Sequence, residues 1–113
     1  MSDALLTAMK VVVDLLVRGE YAVLAKVDQG GRLTPEDLRH AVERYGRTLI
    51  PIPPQTWSQV GIVEVKGSTP RRYMVAVDLW TLEEGRSDLT LELQLVALAN
   101  GTFTTEILDL HTL

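Results

Sequence analysis

The chain has 113 residues, a length typical of one domain that buries roughly two-thirds of its unfolded surface. Its hydrophobic and charged fractions, 46% and 23%, are ordinary for a globular protein, and the absence of cysteine excludes disulfides, thiolate metal ligands and cysteine nucleophiles. The net charge of −4 is uneven, because residues 78–113 carry seven acidic side chains and one basic one, Arg86. That region is poorly suited to nucleic acid or anionic lipid, which need clustered Lys and Arg. Its charge either keeps the protein soluble or steers a basic partner.

The start of the chain and its apolar segments predict a cytoplasmic protein. Met1-Ser2-Asp3-Ala4 lacks the basic residues that precede the apolar core of a signal peptide. The longest apolar run, residues 11–17, is interrupted by Asp14 and is far too short to span a membrane. The lack of cysteine is also consistent with a reducing compartment.

The first part of the chain, residues 3–46, predicts two or three helices. Residues 4–18 fit an amphipathic helix that ends before Gly19, and residues 20–27 fit a second, short one. The strongest helix start is Thr34-Pro35-Glu36-Asp37, with a threonine N-cap, proline at the first helical position and acids in the first turn. Gly46 ends that third helix.

A proline-rich segment at residues 50–54 predicts an extended crossing from the helices to a sheet, because proline lacks the backbone donor that helices and central strands need. The sheet occupies residues 58–113, and Asn100-Gly101 is a preferred two-residue hairpin turn. Its four predicted strands are residues 60–66, 71–82, 88–99 and 102–112. Successive hairpins predict a four-stranded antiparallel meander, and the whole chain, residues 1–113, predicts a single two-layer α+β domain.

Alternating residues assign the two faces of this sheet. Apolar residues recur at every second position of the third strand, which places them on one buried face that the helices must cover; they are Leu89, Leu91, Leu93 and Leu95. The opposite face carries polar or mixed side chains from the second and third strands. They are Met74, Ala76, Asp78 and Trp80 from one strand and Thr90, Glu92 and Gln94 from the next.

This second face holds the first candidate site. If the strand register brings Asp78 and Glu92 together, the two carboxylates form a pair in which one pKa is raised, as a general acid or base requires. Alternatively, both are solvated groups on an exposed face. The large aromatic ring of Trp80 predicts that this face is covered or used, with Glu92, Gln94 and Arg86 as further ligand or partner contacts.

The two histidines, His40 and His111, are considered as catalytic residues and as metal ligands. Asp109 and His111 share a face of the last strand, where the carboxylate can orient the imidazole, so they join Asp78 and Glu92 as candidate catalytic residues. His40 lies among polar neighbours on a helix and is expected to face solvent. Two histidines without thiolates predict no metal site, with at most adventitious binding at Asp109 and His111. No motif predicts a cofactor.

The segment 83–88 is denser in charge than a turn requires. One interpretation is a solvated loop in which Gly85 has a positive φ and Ser87 or Asp88 bonds to the nearby backbone. The other is a salt bridge or a partner contact made by Arg86.

Two resemblances follow from these elements. Helices followed by a meander with a long Asn-Gly hairpin resemble the NTF2-like (cystatin-like) superfamily, which implies a bent sheet wrapped around helices as a cone. The segments Asp78-Leu79-Trp80-Thr81, 84–91 and Ile107-Leu108-Asp109-Leu110-His111 resemble those of small bacterial proteins grouped as a domain of unknown function, which implies no activity.

Two functions are therefore expected. The first is a non-catalytic interaction module, immunity-like or regulatory, that forms a homodimer through the face bearing Trp80 or binds a basic protein partner. The alternative is a small NTF2-like isomerase, cyclase or hydrolase that acts on an apolar metabolite, with Asp78, Glu92 or His111 as acid or base.

Overall fold

The computed structural model of the chain describes residues 2–112, and it confirms that the first part is helical. The helices are α1 (Asp3–Val17), α2 (Tyr21–Val27) and α3 (Pro35–Tyr45). The Ser2 side chain caps α1 by accepting the backbone N–H of Leu5 at 3.2 Å. One stripe of α1 is buried, as helical periodicity predicts. No helix in residues 2–112 is long and apolar enough to cross a membrane.

The start of α3 is fixed by a reciprocal capping box. The Thr34 hydroxyl accepts the backbone N–H of Asp37 at 3.0 Å, and the Asp37 carboxylate accepts the backbone N–H of Thr34 at 2.9 Å. These two bonds satisfy backbone donors that the first turn of a helix leaves free. At the other end, Gly46 adopts a φ of 73°, which a residue with a side chain rarely adopts.

Substitution of Thr34 by alanine is expected to lower the free energy of unfolding by about 1 kcal/mol, because the N-cap acceptor is lost. Urea denaturation followed by circular dichroism measures the change. Thr34→Ser keeps the hydroxyl and serves as the control, and equal loss in both variants would contradict the capping role.

The sheet has five strands, of which the first is very short. They are β1 (Leu49–Ile50), β2 (Gly61–Glu64), β3 (Arg72–Thr81), β4 (Gly85–Ala97) and β5 (Phe103–Thr112). β3 pairs with β4 on one side, and β4 pairs with β5. On its other side β3 pairs with β2 near its start and with β1 at its end. All these pairs are antiparallel, so the predicted meander is confirmed and extended by one strand.

Three details of the structure were not among the predicted elements. Residues Leu49–Ile50 pair with β3, so the proline-rich segment 50–54 begins inside the sheet. The prolines are followed by a 3₁₀ helix, Pro54–Gln59, which places Trp57 in the core. Finally, β4 begins at Gly85 rather than at residue 88, because the strand continues through an irregularity near residues 87–89.

The two faces of the sheet differ as the alternating pattern predicted. The four leucines of β4 that were assigned to the inner face are each at most 1% exposed. They pack with the buried stripe of α1, with Leu24 of α2 and with Leu38 of α3. The helices therefore cover the inner face, and the opposite face, called the outer face below, carries the predicted site residues.

Candidate functional site

Strand register decides which predicted residues meet on the outer face. Asp78 lies opposite Thr90, and the Thr90 hydroxyl donates to the Asp78 carboxylate at 3.1 Å. Glu92 lies opposite Ala76 on one side and Asp109 on the other. Asp78 and Glu92 are therefore offset by two positions along the strands rather than directly opposite each other, although the two extra residues of β4 between the Trp80 pair and the Asp78 pair shift the register toward Glu92.

A bulge in β5 turns Asp109 and His111 outward. Glu92 pairs with Asp109 and Leu93 with Ile107, which leaves Leu108 as an extra residue. Ile107 before the bulge and Leu110 after it both point into the core, at 0% and 6% exposure. With unbroken alternation, residues 109 and 111 would share the inner face with Ile107.

Asp28, at the end of α2, holds this bulge, and the sequence interpretation missed it. Its Oδ1 accepts the backbone N–H of Ile107 at 2.9 Å and that of Gly30 at 3.1 Å. The residue is only 8% exposed, and its second oxygen, Oδ2, has no hydrogen-bond partner within residues 2–112. An aspartate two residues before a glycine signals a local turn. Its bond to a residue 79 positions away carries no signal in the sequence.

The bulge assembles Glu92, Asp109 and His111, whose ligand-type atoms lie within 4.8 Å of one another. The His111 Nε2 is 3.6 Å from the Glu92 Oε1, and its Nδ1 is 3.2 Å from the Thr112 carbonyl oxygen. The bond to that carbonyl has the largest effect and raises the pKa of His111; desolvation lowers this pKa, and Glu92 and Asp109 raise it, so that the net shift is upward. The Asp109 Oδ1 accepts the backbone N–H of Leu110 at 2.9 Å, which orients the carboxylate.

The remaining predicted residues spread along the same face. Gln94 donates its side-chain amide to the Glu106 carboxylate at 3.2 Å. Arg86 lies opposite Trp80 and donates to the Gln59 side-chain oxygen at 3.1 Å. It makes no ion pair within residues 2–112, so the hypothesis of an Arg86 salt bridge is not supported. Trp80 is half-buried with its ring against Gly85, where an added Cβ would come within 3.6 Å of the ring.

An apolar depression runs across this face beside the carboxylates, and we call it the outer groove. Its first hollow has a volume of about 340 Å³. Val63, Met74, Ala76, Leu108 and Glu92 are among its lining residues. Gly61 and Ala76 join it to a second hollow of about 260 Å³ that Asp78 and Arg86 line.

The acidic turn between β3 and β4 has a structural role. The Glu83 carboxylate accepts the backbone N–H of Thr48 at 2.8 Å and its hydroxyl at 2.9 Å. The Tyr45 hydroxyl donates to the Glu84 carboxylate at 2.8 Å and accepts the backbone N–H of Asp88 at 3.2 Å. The two glutamates thus attach the turn to the end of α3, and Gly85 has the predicted positive φ, 77°.

The pKa of Glu83 is lowered, first by the hydrogen bond from the Thr48 backbone and then by further hydrogen bonds, including one from the Thr48 hydroxyl. A lowered folded pKa stabilises the fold above the unfolded value of about 4.3, and this contribution is lost as the pH falls through the folded pKa. Carboxyl NMR titration should therefore place Glu83 below that ordinary value. Thr48→Val removes one donor and should raise the pKa; a Glu83 that titrates above the ordinary value would contradict these bonds.

A second groove, of about 550 Å³, lies between α1 and the start of β5, on the helical side of the sheet. Ala8, Val11, Val27 and Phe103 are among its lining residues, and none of its lining residues is titratable. The hydroxyl of Thr105, which also lines the groove, is buried without a partner within residues 2–112. The groove suits a small apolar molecule but offers no acid or base.

Residues 13–113 match the sequence profile of a family described as "Domain of unknown function (DUF7668)". No curated protein and no solved structure matches the chain.

Proposed function

The chain belongs to the DUF7668 family, whose description names no activity, and we propose from the geometry that it is a non-catalytic module that binds a basic protein partner through its outer face. An immunity-like or regulatory role is part of this proposal. The observation that carries it is the open apolar groove bordered by carboxylates.

The apolar part of the outer groove supplies the contact area. Val63 is 65% exposed and Met74 is 37% exposed, and they lie opposite each other on β2 and β3. Exposed apolar side chains that adjoin one another and are rimmed by polar groups are typical of protein interaction sites. The helices pack on the inner face, so these side chains remain available to a partner.

The carboxylates around the groove supply the charge. Asp78 and Glu92 line the groove, and Glu106 and Asp109 lie beside it on β5, opposite Gln94 and Glu92. Within residues 2–112, the one contact that any of them makes with a basic side chain at ion-pair distance is between Glu92 and His111, and it is an ion pair only when His111 is protonated. These four carboxylates outnumber the two arginines of the same face, Arg72 and Arg86, so the face has a net negative charge, which accelerates encounter with a positively charged partner and repels an acidic one.

The same charge bears on the expected homodimer. In a two-fold dimer whose axis passes through the outer groove, the carboxylates around the groove would face their own copies, and like charges in contact cost several kcal/mol unless they are separated or neutralised. We therefore favour a basic partner over a second copy of the chain. The homodimer through the Trp80 end stays a prediction, which light scattering with size-exclusion chromatography tests.

A second candidate function is the binding of a small apolar molecule in the groove between α1 and β5. The volume and lining of that groove favour it, but the proposed acids and bases, Asp78, Glu92 and His111, lie on the other side of the sheet. The alternative function, a small NTF2-like enzyme, is therefore not supported, because this groove contains none of its candidate acids and bases. The test is the fluorescence of an apolar dye added to the wild type and to Ala8→Trp. Fluorescence that appears with the wild type and is lost with Ala8→Trp would indicate binding in the groove, and equal fluorescence with the two proteins would refute it.

Affinity capture from the source lysate with a matched pair of variants tests the outer-face proposal. Val63→Asp adds a charge to the outer groove, and Val23→Asp adds the same charge to α2, where Val23 is 43% exposed. We expect basic proteins captured by the wild type to be lost with Val63→Asp and retained with Val23→Asp. Titration of a captured protein should then show affinity that falls steeply with salt.

The outcome that contradicts the proposal is equally specific. A partner that Val23→Asp abolishes and Val63→Asp retains would place the interaction on the helices. A captured partner whose affinity does not change with salt would remove the role of the carboxylates.

A further inference from the structure

We infer that Glu92, Asp109 and His111 form a binding site for a divalent transition-metal ion such as Zn²⁺. This inference does not rest on the proposed protein partner. The three residues supply a mixed nitrogen and oxygen ligand set from two paired strands, and their ligand-type atoms lie within 4.8 Å of one another.

The imidazole is already oriented as a ligand. A carbonyl oxygen can only accept, so the Nδ1 that lies 3.2 Å from the Thr112 carbonyl carries the ring hydrogen in the neutral form. The lone pair then resides on Nε2, which faces the Glu92 carboxylate at 3.6 Å. A lone pair and a carboxylate repel each other unless a proton or a metal ion lies between them, and histidine ligands in metal sites characteristically donate their other ring hydrogen to a carbonyl or carboxylate.

The distances fit a small ion. Histidine and carboxylate ligands lie about 2.0–2.2 Å from zinc, so two ligands of a tetrahedral site are separated by about 3.4 Å. The Nε2–Oε1 distance of 3.6 Å is close to this separation. Asp109 supplies the third ligand: its ligand-type atom lies within 4.8 Å of the other two, and the backbone N–H of Leu110 donates to its Oδ1 at 2.9 Å.

The ligand chemistry selects the class of metal. Imidazole suits zinc, cobalt, nickel and copper, whereas magnesium and calcium sites are built from oxygen alone. Three protein ligands leave the fourth tetrahedral position for water. The neighbouring carboxylates Asp78 and Glu106 raise the local concentration of cations. The bulge that Asp28 holds is what makes the site, since it is the bulge that turns Asp109 and His111 toward Glu92.

Calorimetric titration of Zn²⁺ into untagged, chelator-stripped protein tests the site. We expect one ion per chain, a rise in the thermal unfolding temperature on binding, and the intense visible absorption of tetrahedral cobalt when Co²⁺ is used. His111→Gln and Glu92→Gln should each weaken binding by at least the 10- to 100-fold that loss of even a supporting residue causes. Unfolding measured in a chelator shows that the variants are folded.

His40→Gln is the matched control. His40 also contacts a glutamate, Glu36, at 2.9 Å, but the identified three-residue cluster does not include it. Its replacement should leave zinc affinity unchanged. The inference is overturned if zinc does not bind, if binding survives both His111→Gln and Glu92→Gln, or if His40→Gln weakens it as much as His111→Gln does.

Discussion

Replacement of Asp28 by alanine is expected to lower the free energy of unfolding by about 2–3 kcal/mol, because two backbone donors lose a charged acceptor. One of them, the Ile107 N–H, belongs to a fully buried residue that water cannot easily reach. The variant should also loosen the bulge of β5 and move Asp109 and His111 away from Glu92. Chemical denaturation measures the stability, and NMR shifts of the His111 ring report the second effect.

Asp28→Asn is the matched control for this prediction. Asparagine keeps the oxygen that accepts both N–H groups and places its amide where the unpartnered Oδ2 lies. It should retain most of the stability and the outward position of His111. If alanine and asparagine destabilise the protein equally, Asp28 does not hold the bulge through these two hydrogen bonds.

Replacement of Leu91 by alanine should cost about 3 kcal/mol or more, as is typical of leucine truncation in a well-packed core. Leu91 is fully buried and lies between Val77 of β3 and Leu110 of β5, both of which are also buried. The cavity left behind cannot collapse easily, because the neighbouring strands are fixed by their pairing. Urea denaturation monitored by tryptophan fluorescence measures the loss.

Glu92→Ala, on the next residue of the same strand, is the matched control. Its side chain is partly exposed on the outer face, so its removal should change stability by less than about 0.5 kcal/mol. Comparison of the two variants shows whether the inner face stabilises the fold while the outer face does not. A loss of stability at Glu92 as large as that at Leu91 would contradict this division.

The sequence predicted the helices and the two faces of the sheet because both follow from local chemistry. Thr34-Pro35-Glu36-Asp37 marks a helix start because its side chains accept hydrogen bonds from backbone N–H groups of the same segment. The alternation of leucines in β4 indicates which face of the sheet is buried. Such signals act within a few residues and do not depend on the rest of the chain.

The site was harder to predict because it depends on register. The irregularity near residues 87–89 moved Asp78 opposite Thr90, and turn chemistry alone does not give the size of such an insertion. The bulge of β5 does have a signal in the sequence, since the apolar residues Ile107 and Leu110 are three positions apart, whereas residues on one face of a regular strand are separated by an even number of positions. Asp28 left none, because its partner is distant in sequence and near only after folding.

Carboxyl footprinting of the captured complex tests directly whether the outer face binds a basic partner. The measurement compares the chemical labelling of aspartates and glutamates with and without the partner. We predict protection of Glu92, Glu106 and Asp109, and unchanged labelling of Glu36 and Glu43 on α3, which are exposed. Protection of Glu36 and Glu43 with unchanged labelling on the outer face would contradict the account.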